Sequence, residues 1–343
     1  MPATVLPPVP HYVPAPQTKE PLEYADLTII DLSKADTYEG RTKLAVQLRD
    51  AMVTQGFFYV INHGLTQAQN ERIFDVADIP FSAVSDEEKR TYVANIKATG
   101  SYQGYKPRQY WHIDAGVHDQ IEHYNINRDV TKKLHPQALR PLIPEIEAFA
   151  KFNHFHVLHP LLRLFALGLE LPEDTFVNIH EYDAAGESYV RFMKYYPRTQ
   201  DEETKTKNVW LKGHTDFGSV SILWSQPVAS LQILSPDGKW KNIKHIDNAL
   251  VVNAGDAMDF LSGGFYKGTV HRVIQPPPDQ QGYTRLGVFY FCMPNDDTKL
   301  SPSPRARSCR GSRTSAYGQT ELKAKEKGVE EEIINGVVVK HWN

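Results

Sequence analysis

Two histidines and an aspartate are the residues of this chain best suited to hold a metal. They lie in Lys212-Gly-His214-Thr-Asp216-Phe-Gly218 and Gly268-Thr-Val-His271-Arg-Val273. Two imidazoles and one carboxylate on one face of an octahedral ion leave three positions open, the ligand set of non-haem Fe(II) oxygenases. A structural zinc site would be closed by four protein ligands. Open positions accept a chelating co-substrate and dioxygen. On a strand, His-X-Asp points both side chains to the same face, because residues i and i+2 share a face. His271 is far away in sequence and must arrive from another strand. The tripeptide alone is common in surface turns, so the assignment needs further residues.

Arg285 supplies one. It opens Tyr283-Thr-Arg-Leu-Gly-Val-Phe-Tyr-Phe-Cys292, an aromatic and β-branched run that reads as a buried strand. A buried cation requires a counter-charge, and a planar guanidinium matches a carboxylate in bidentate geometry. A 2-oxo diacid would satisfy both sites, chelating the metal at one end and meeting Arg285 at the other. Pairing of Arg285 with a protein carboxylate, or a place at the exposed start of the strand, is the alternative that these residues leave open.

The surrounding elements must position these groups. Residues 1–26 form a proline-rich arm, extended over the surface or loose. Residues 27–185 mix strands and helices: a helix over Arg41–Gln55, a strand over Phe57–Ile61, and a helix start at Ser85-Asp-Glu-Glu88 with capping-box spacing. Residues 138–170 read as one long helix that Pro160 kinks or splits. His154, His156 and His159 fall in it, but no carboxylate sits at ligand spacing, so they read as amphipathic cover. Residues 186–300 are strand-like. Val220, Ile222 and Trp224 alternate as in a half-buried strand, and recurrent breakers argue for a sandwich or barrel. Asp201–Lys207 reads as a solvated loop. Residues 301–343 are polar, with a short exposed helix over Thr320–Lys327 and a hairpin around Asn335-Gly336.

Taken in order, several segments carry a family resemblance: Leu27–Ser33, Gly56–Gly64, Phe81–Lys89, Tyr102–Pro107, Arg191-Phe-Met-Lys-Tyr-Tyr196-Pro, Asn253-Ala-Gly-Asp256 and Leu261–Gly264. With the triad they resemble the iron/2-oxoglutarate dioxygenases of the isopenicillin N synthase-like branch, over roughly residues 27 to 300. The resemblance implies a mainly β fold with surrounding helices, built on a double-stranded β-helix (jellyroll) core. It implies His214, Asp216 and His271 as Fe(II) ligands, Arg285 as the anchor of 2-oxoglutarate, and Tyr196 as a second contact to that co-substrate. Dioxygen is then consumed with oxidative decarboxylation of 2-oxoglutarate to succinate. A small organic molecule, in secondary metabolism, is hydroxylated, desaturated or cyclised. The C-terminal segment would serve as a lid.

The chain departs from the family at Gly287, where Arg-X-Ser is usual, at Lys194, where Asn is frequent, and in the longer segment Gln275–Gly282. If Lys194 faces the cavity, an acidic substrate follows. Candidate substrate contacts are Gln109-Tyr-Trp-His112, Phe192 and Phe265-Tyr266. An oxidase of the isopenicillin N synthase type, or a non-catalytic partner subunit, are the competing readings.

Composition sets outer bounds. The formal charge of −3 over 343 residues shows no basic stripe, so nucleic acid is a poor partner. No apolar run reaches membrane-spanning length. The two cysteines, Cys292 and Cys309, imply no disulfide framework and a reducing, cytoplasmic home.

Overall fold

Continuous apolar runs such as Phe57–Ile61 and Leu250–Val252 mark strands covered on both faces. The computed structural model describes residues 6–301, 329–334 and 337–342. In chain order its strands are β1 (Ile29–Asp31), β2 (Phe57–Ile61), β3 (Gly104–Lys106), β4 (His112–Asp114), β5 (Val117–His118), β6 (Ile121–Asn127), β7 (Tyr189–Tyr195), β8 (Val209–His214), β9 (Val220–Trp224), β10 (Leu231–Leu234), β11 (Trp240–Asn242), β12 (Leu250–Ala254), β13 (His271–Ile274), β14 (Arg285–Cys292), β15 (Val329–Ile334) and β16 (Val337–Trp342). The large sheet has the order β1-β2-β12-β9-β14-β7-β6-β3 and the smaller β11-β10-β13-β8-β16-β15. This is the expected mainly β architecture, the double-stranded β-helix core of its structural neighbours. Strands from the N-terminal region (β1, β2, β3 and β6) extend the same large sheet.

Strand parity divides the core. Phe58, Val60, Phe192, Ile222, Trp224, Val252 and Tyr290 face the helices. Phe57, Tyr59, Met193, Tyr195, Leu223, Ile233 and Val251 fill the space between the sheets. All of β9 is therefore buried, not half of it as its alternation suggests, because Ser221 and Leu223 line the barrel interior while Val220, Ile222 and Trp224 meet the helices.

The helices begin where side chains can satisfy their first N–H groups. α1 (Tyr38–Thr54) is capped by Thr37, and α2 (Gln67–Ser82) by a reciprocal Thr66–Gln69 box. α3 (Asp86–Thr91) has half the expected box: Ser85 accepts from Glu88 N, but the Glu88 carboxylate accepts from Gln137 N at 2.7 Å. After α4 (Ile96–Thr99) come α5 (Ile143–Phe152) and α6 (His159–Gly168), joined by a π-helical turn over Asn153–Leu158. The long helix is thus continuous, and the wider turn precedes Pro160, whose ring cannot supply the N–H of a regular α turn. The segment expected as a solvated loop instead forms α7 (Gln200–Lys205), because Thr199 and Glu202 cap it reciprocally and buried Glu203 accepts from Trp210 Nε1 at 2.7 Å. α8 (Asp256–Leu261) follows β12.

The arm is draped across the surface. Tyr12 N donates to Asp75, Ala25 N to Asn242 O, and Thr18 Oγ1 and Lys19 N to Asp279. At the other end β15 and β16 form the anticipated hairpin, and Trp342 pairs with Gly213 beside His214. The proposed helix over Thr320–Lys327 and Cys309 lie outside the described residues. Cys292 is buried, and no described helix is long and apolar enough to cross a membrane.

Candidate metal and co-substrate site

His214 ends β8 and His271 begins β13, and the two are paired directly across these antiparallel strands. Their ring centroids lie 4.3 Å apart. Each Nδ1 is engaged by a backbone carbonyl two residues back, Lys212 O at 2.9 Å and Thr269 O at 3.1 Å. These bonds place the proton on Nδ1 and turn each Nε2 toward Asp216, whose Oδ1 is 3.9 Å from His214 Nε2 and 3.8 Å from His271 Nε2. One ligand atom from each of the three residues lies within 4.8 Å of the others.

Asp216 is held by its second oxygen. Ser221 Oγ donates to Oδ2 at 2.6 Å and Asn253 Nδ2 at 2.8 Å. Burial alone would raise this carboxyl, yet the two imidazoles and the two donated hydrogen bonds keep it below the usual aspartate range. The backbone after it is fixed too: Asp216 O accepts from Asp256 N at 2.7 Å. Gly255 permits this approach, since a Cβ there would fall 2.5 Å from Asp216 O and 2.3 Å from Gly218 O. The Asn253-Ala-Gly-Asp256 segment therefore supports the carboxylate from behind, through the amide of Asn253 and the backbone at 255 and 256. Phe57 adds an edge contact to the His271 ring, centroids 5.4 Å apart.

Arg285 is on the same interior. It is 2% exposed, and its Nε and Nη1 have no hydrogen-bond partner among the described residues. Its guanidinium lies 5.1 Å from the Tyr195 ring and faces a cavity lined by Leu223, Ser225, Leu231, Ile243 and Val251. A buried guanidinium with unmade bonds fits an anionic ligand, and three convergent ligand atoms fit a divalent iron. At position 287 a Cβ would fall 2.6 Å from the Phe289 ring, so an aromatic edge stands where the usual serine would be.

The structure brings His214, Asp216, His271 and Arg285 to one interior, but not Tyr196. Strand parity turns Tyr195 inward against Arg285. Tyr196, one residue beyond β7, donates to Glu122 Oε2 at 3.2 Å and lies 4.7 Å from the Arg108 guanidinium. Lys194 is likewise turned away from the cavity and pairs with Asp78 of α2 at 2.6 Å. Of the other suggested contacts, Phe192 and Tyr266 belong to the helix-side core, whereas Trp111 packs near His123 at the interior. Sequence reasoning does not reach Ser221, Asn253 or Tyr195 as site residues. For Tyr195 the available signal is alternation from Met193, an inward apolar residue two positions before it.

Comparisons place this geometry in a family. Residues 187–294 match the 2OG-Fe(II) oxygenase superfamily, and residues 27–144 match the N-terminal region of non-haem dioxygenases in morphine synthesis. The chain is 31% identical to Jasmonate-induced oxygenase 4 of Arabidopsis thaliana, over 74% of this chain and 69% of that protein. It is 26% identical to the 2-oxoglutarate-Fe(II) type oxidoreductase hxnY of Emericella nidulans, over 87% and 92%. In fold it is similar to a full-length Neurospora crassa protein crystallised in complex with alpha-KG, with a TM-score of 0.72 at 23% identity over 87% and 95%. The chain belongs to the 2OG-Fe(II) oxygenase superfamily. It is a non-haem dioxygenase that uses Fe(II) and 2-oxoglutarate to oxidise a small molecule, and neither the oxidase nor the non-catalytic reading is favoured.

Proposed function

We propose that His214, Asp216 and His271 hold the Fe(II), that Arg285 anchors the far carboxylate of 2-oxoglutarate, and that Tyr195 forms the wall beside that carboxylate. The observation that carries this reading is the buried Arg285 guanidinium with two unpartnered nitrogens, on the same interior as three convergent ligand atoms. When bound, the iron and co-substrate would activate dioxygen, the oxidant for a C–H bond of the substrate. The protein's own part is positional. The carbonyls of Lys212 and Thr269 orient the imidazoles, Ser221 and Asn253 hold Asp216 by one oxygen, and the apolar cluster around Leu223, Ile233 and Val251 keeps water from the interior.

Hydroxylation, desaturation and ring closure all start from such an oxidation. The Neurospora crassa protein has also been crystallised with alpha-KG and thymine, which supports a small organic substrate for the present chain. A cytoplasmic setting agrees with the free, buried thiol of Cys292. The test is to add Fe(II) to the anaerobic protein and titrate 2-oxoglutarate, following the visible charge-transfer band. A saturable band is expected. Iron binding without the band would move the assignment to the oxidase reading, and failure to bind iron would sink it altogether.

A further inference from the structure

The inward residues of β7 are Tyr189, Arg191, Met193 and Tyr195, and only the last is committed to the co-substrate end. Arg191 lies four residues before Tyr195, roughly 13 Å along the strand at about 3.3 Å per residue. Its guanidinium is 4.8 Å from the Phe291 ring and 5.3 Å from the Tyr189 ring. Its Nε donates to Asn125 Oδ1 at 2.8 Å and Nη2 to Tyr189 OH at 3.4 Å. No ion pair is formed by it among the described residues. The cation is thus fixed in orientation by neutral groups only.

The other charges of this interior are answered. Lys106 pairs with Asp119. Asp216 faces the two imidazoles, and Arg285 faces the co-substrate pocket. Arg191 has no carboxylate partner among the described residues, so an anion that reaches it gains a charge-assisted pairing. A second observation points the same way. His123, on β6 beside Arg191's partner Asn125, is 5% exposed and its Nδ1 has no hydrogen-bond partner among the described residues. Burial, with help from the charges of Arg191 and Lys106, pushes its pKa far down and keeps it neutral. A neutral imidazole protonated on Nδ1 donates one hydrogen bond to an oxygen. The Trp111 ring lies 5.9 Å from His123 and 4.0 Å from Lys106 Nζ, and its loop is pinned by Asp119, which accepts from Tyr110 N at 3.0 Å and Trp111 N at 2.5 Å.

We propose that the substrate is a carboxylic acid on an apolar, ring-sized body, its carboxylate bound by Arg191 with His123 beside it and its body against Trp111. The inference rests on the iron and co-substrate assignment above. A guanidinium held between rings presents its outer N–H edge to a planar carboxylate, and an uncharged amide cannot match that pairing.

The experiment uses the full chain loaded with Zn(II) and saturating 2-oxoglutarate. Ligand-observed NMR measures binding of benzoate, 3-phenylpropanoate and cyclohexanecarboxylate against their primary amides. At least one acid should bind tenfold or more tightly than its amide, and Arg191→Gln should abolish that difference. In the Fe(II) form the same variant should keep the midpoint of the 2-oxoglutarate charge-transfer titration, which also reports that it is folded. Should Arg191→Gln fail to fold, Arg191→Lys decides, with partial retention of the acid preference expected. A panel in which no acid outbinds its amide, unchanged acid binding in the variant, or acids that merely displace 2-oxoglutarate would each overturn the inference. Absence of the band in the unaltered protein would instead sink the assignment on which it rests.

Discussion

The Arg285 guanidinium lies 5.1 Å from the ring of Tyr195, the residue directly opposite it across β14 and β7. The cation is buried, burial lowers its pKa, and no described carboxylate lies beside it. A lone buried cation weakens the ligand-free protein while preparing it for an anion. Arg285→Met should therefore raise the melting temperature of the ligand-free protein and abolish its further rise with 2-oxoglutarate. Co-substrate affinity should fall by about 1.5–3 kcal/mol, tenfold to a hundredfold or more. Thermal melts with and without 2-oxoglutarate decide this; a variant still stabilised by it would exclude Arg285 as the anchor.

The two adjacent tyrosines should separate cleanly. Tyr195→Leu removes the ring beneath Arg285 and should weaken 2-oxoglutarate binding several-fold. Tyr196→Phe loses only its bond to Glu122, on the other side of the strand, and should leave that binding within twofold. Charge-transfer titrations of both variants provide the measurement, and the reverse ranking would restore Tyr196 to the site.

Asn253 touches the Asp216 carboxylate and does not line the cavity beside Arg285. Support of this kind typically sustains metal affinity by a factor of about 10–100. Asn253→Ala should weaken Fe(II) binding by that factor with 2-oxoglutarate affinity of the iron-saturated protein little changed. Asp216→Ala should lose iron altogether. Equal iron affinity in Asn253→Ala and the unaltered protein would remove Asn253 from this role.

Asp259 of α8 carries a pH signature. Burial, with Asp256 nearby, raises its pKa from 3.8 to about 6 against a hydrogen bond from Gly268 N. The folded protein thus holds this proton where the unfolded chain has released it. Stability from this group is present below pH 4, is lost as pH rises toward 6, and stays lost above. Asp259→Asn keeps an acceptor for Gly268 without the charge. Its melting temperature should exceed that of the unaltered protein by a few degrees at pH 7.5, at about 2–4 °C per kcal/mol, and the gap should close near pH 4. A gap independent of pH would reject the account.

The proposed metal ligands were legible because their identity and spacing are chemical constraints, and because His-X-Asp has a fixed parity at the end of a strand. Arg285 was legible as a cation at the start of an apolar run. The tyrosine beside it was not, since Tyr195 and Tyr196 are alike in sequence and only the register with β14 says which one faces inward. Lys194 was open for the same reason, and its partner Asp78 lies on a helix far away in sequence. Asp201–Lys207 looked solvated because its charges suggest water; the burial of Glu203 under Trp210 is a tertiary fact. The π turn before Pro160 reflects backbone hydrogen bonding over a whole helix, where the sequence marks only the proline.

The segment Gln275–Gly282 is not idle length. Its Gln280 is buried and bonds to Pro16 O at 2.6 Å, Pro227 O at 2.8 Å and Ala229 N at 2.8 Å, while Asp279 receives Thr18 and Lys19. This turn is the mooring of the N-terminal arm, and it joins the strand of His271 to the strand of Arg285. Among relatives, arm and turn should vary together, and a chain without the arm should carry a shorter turn.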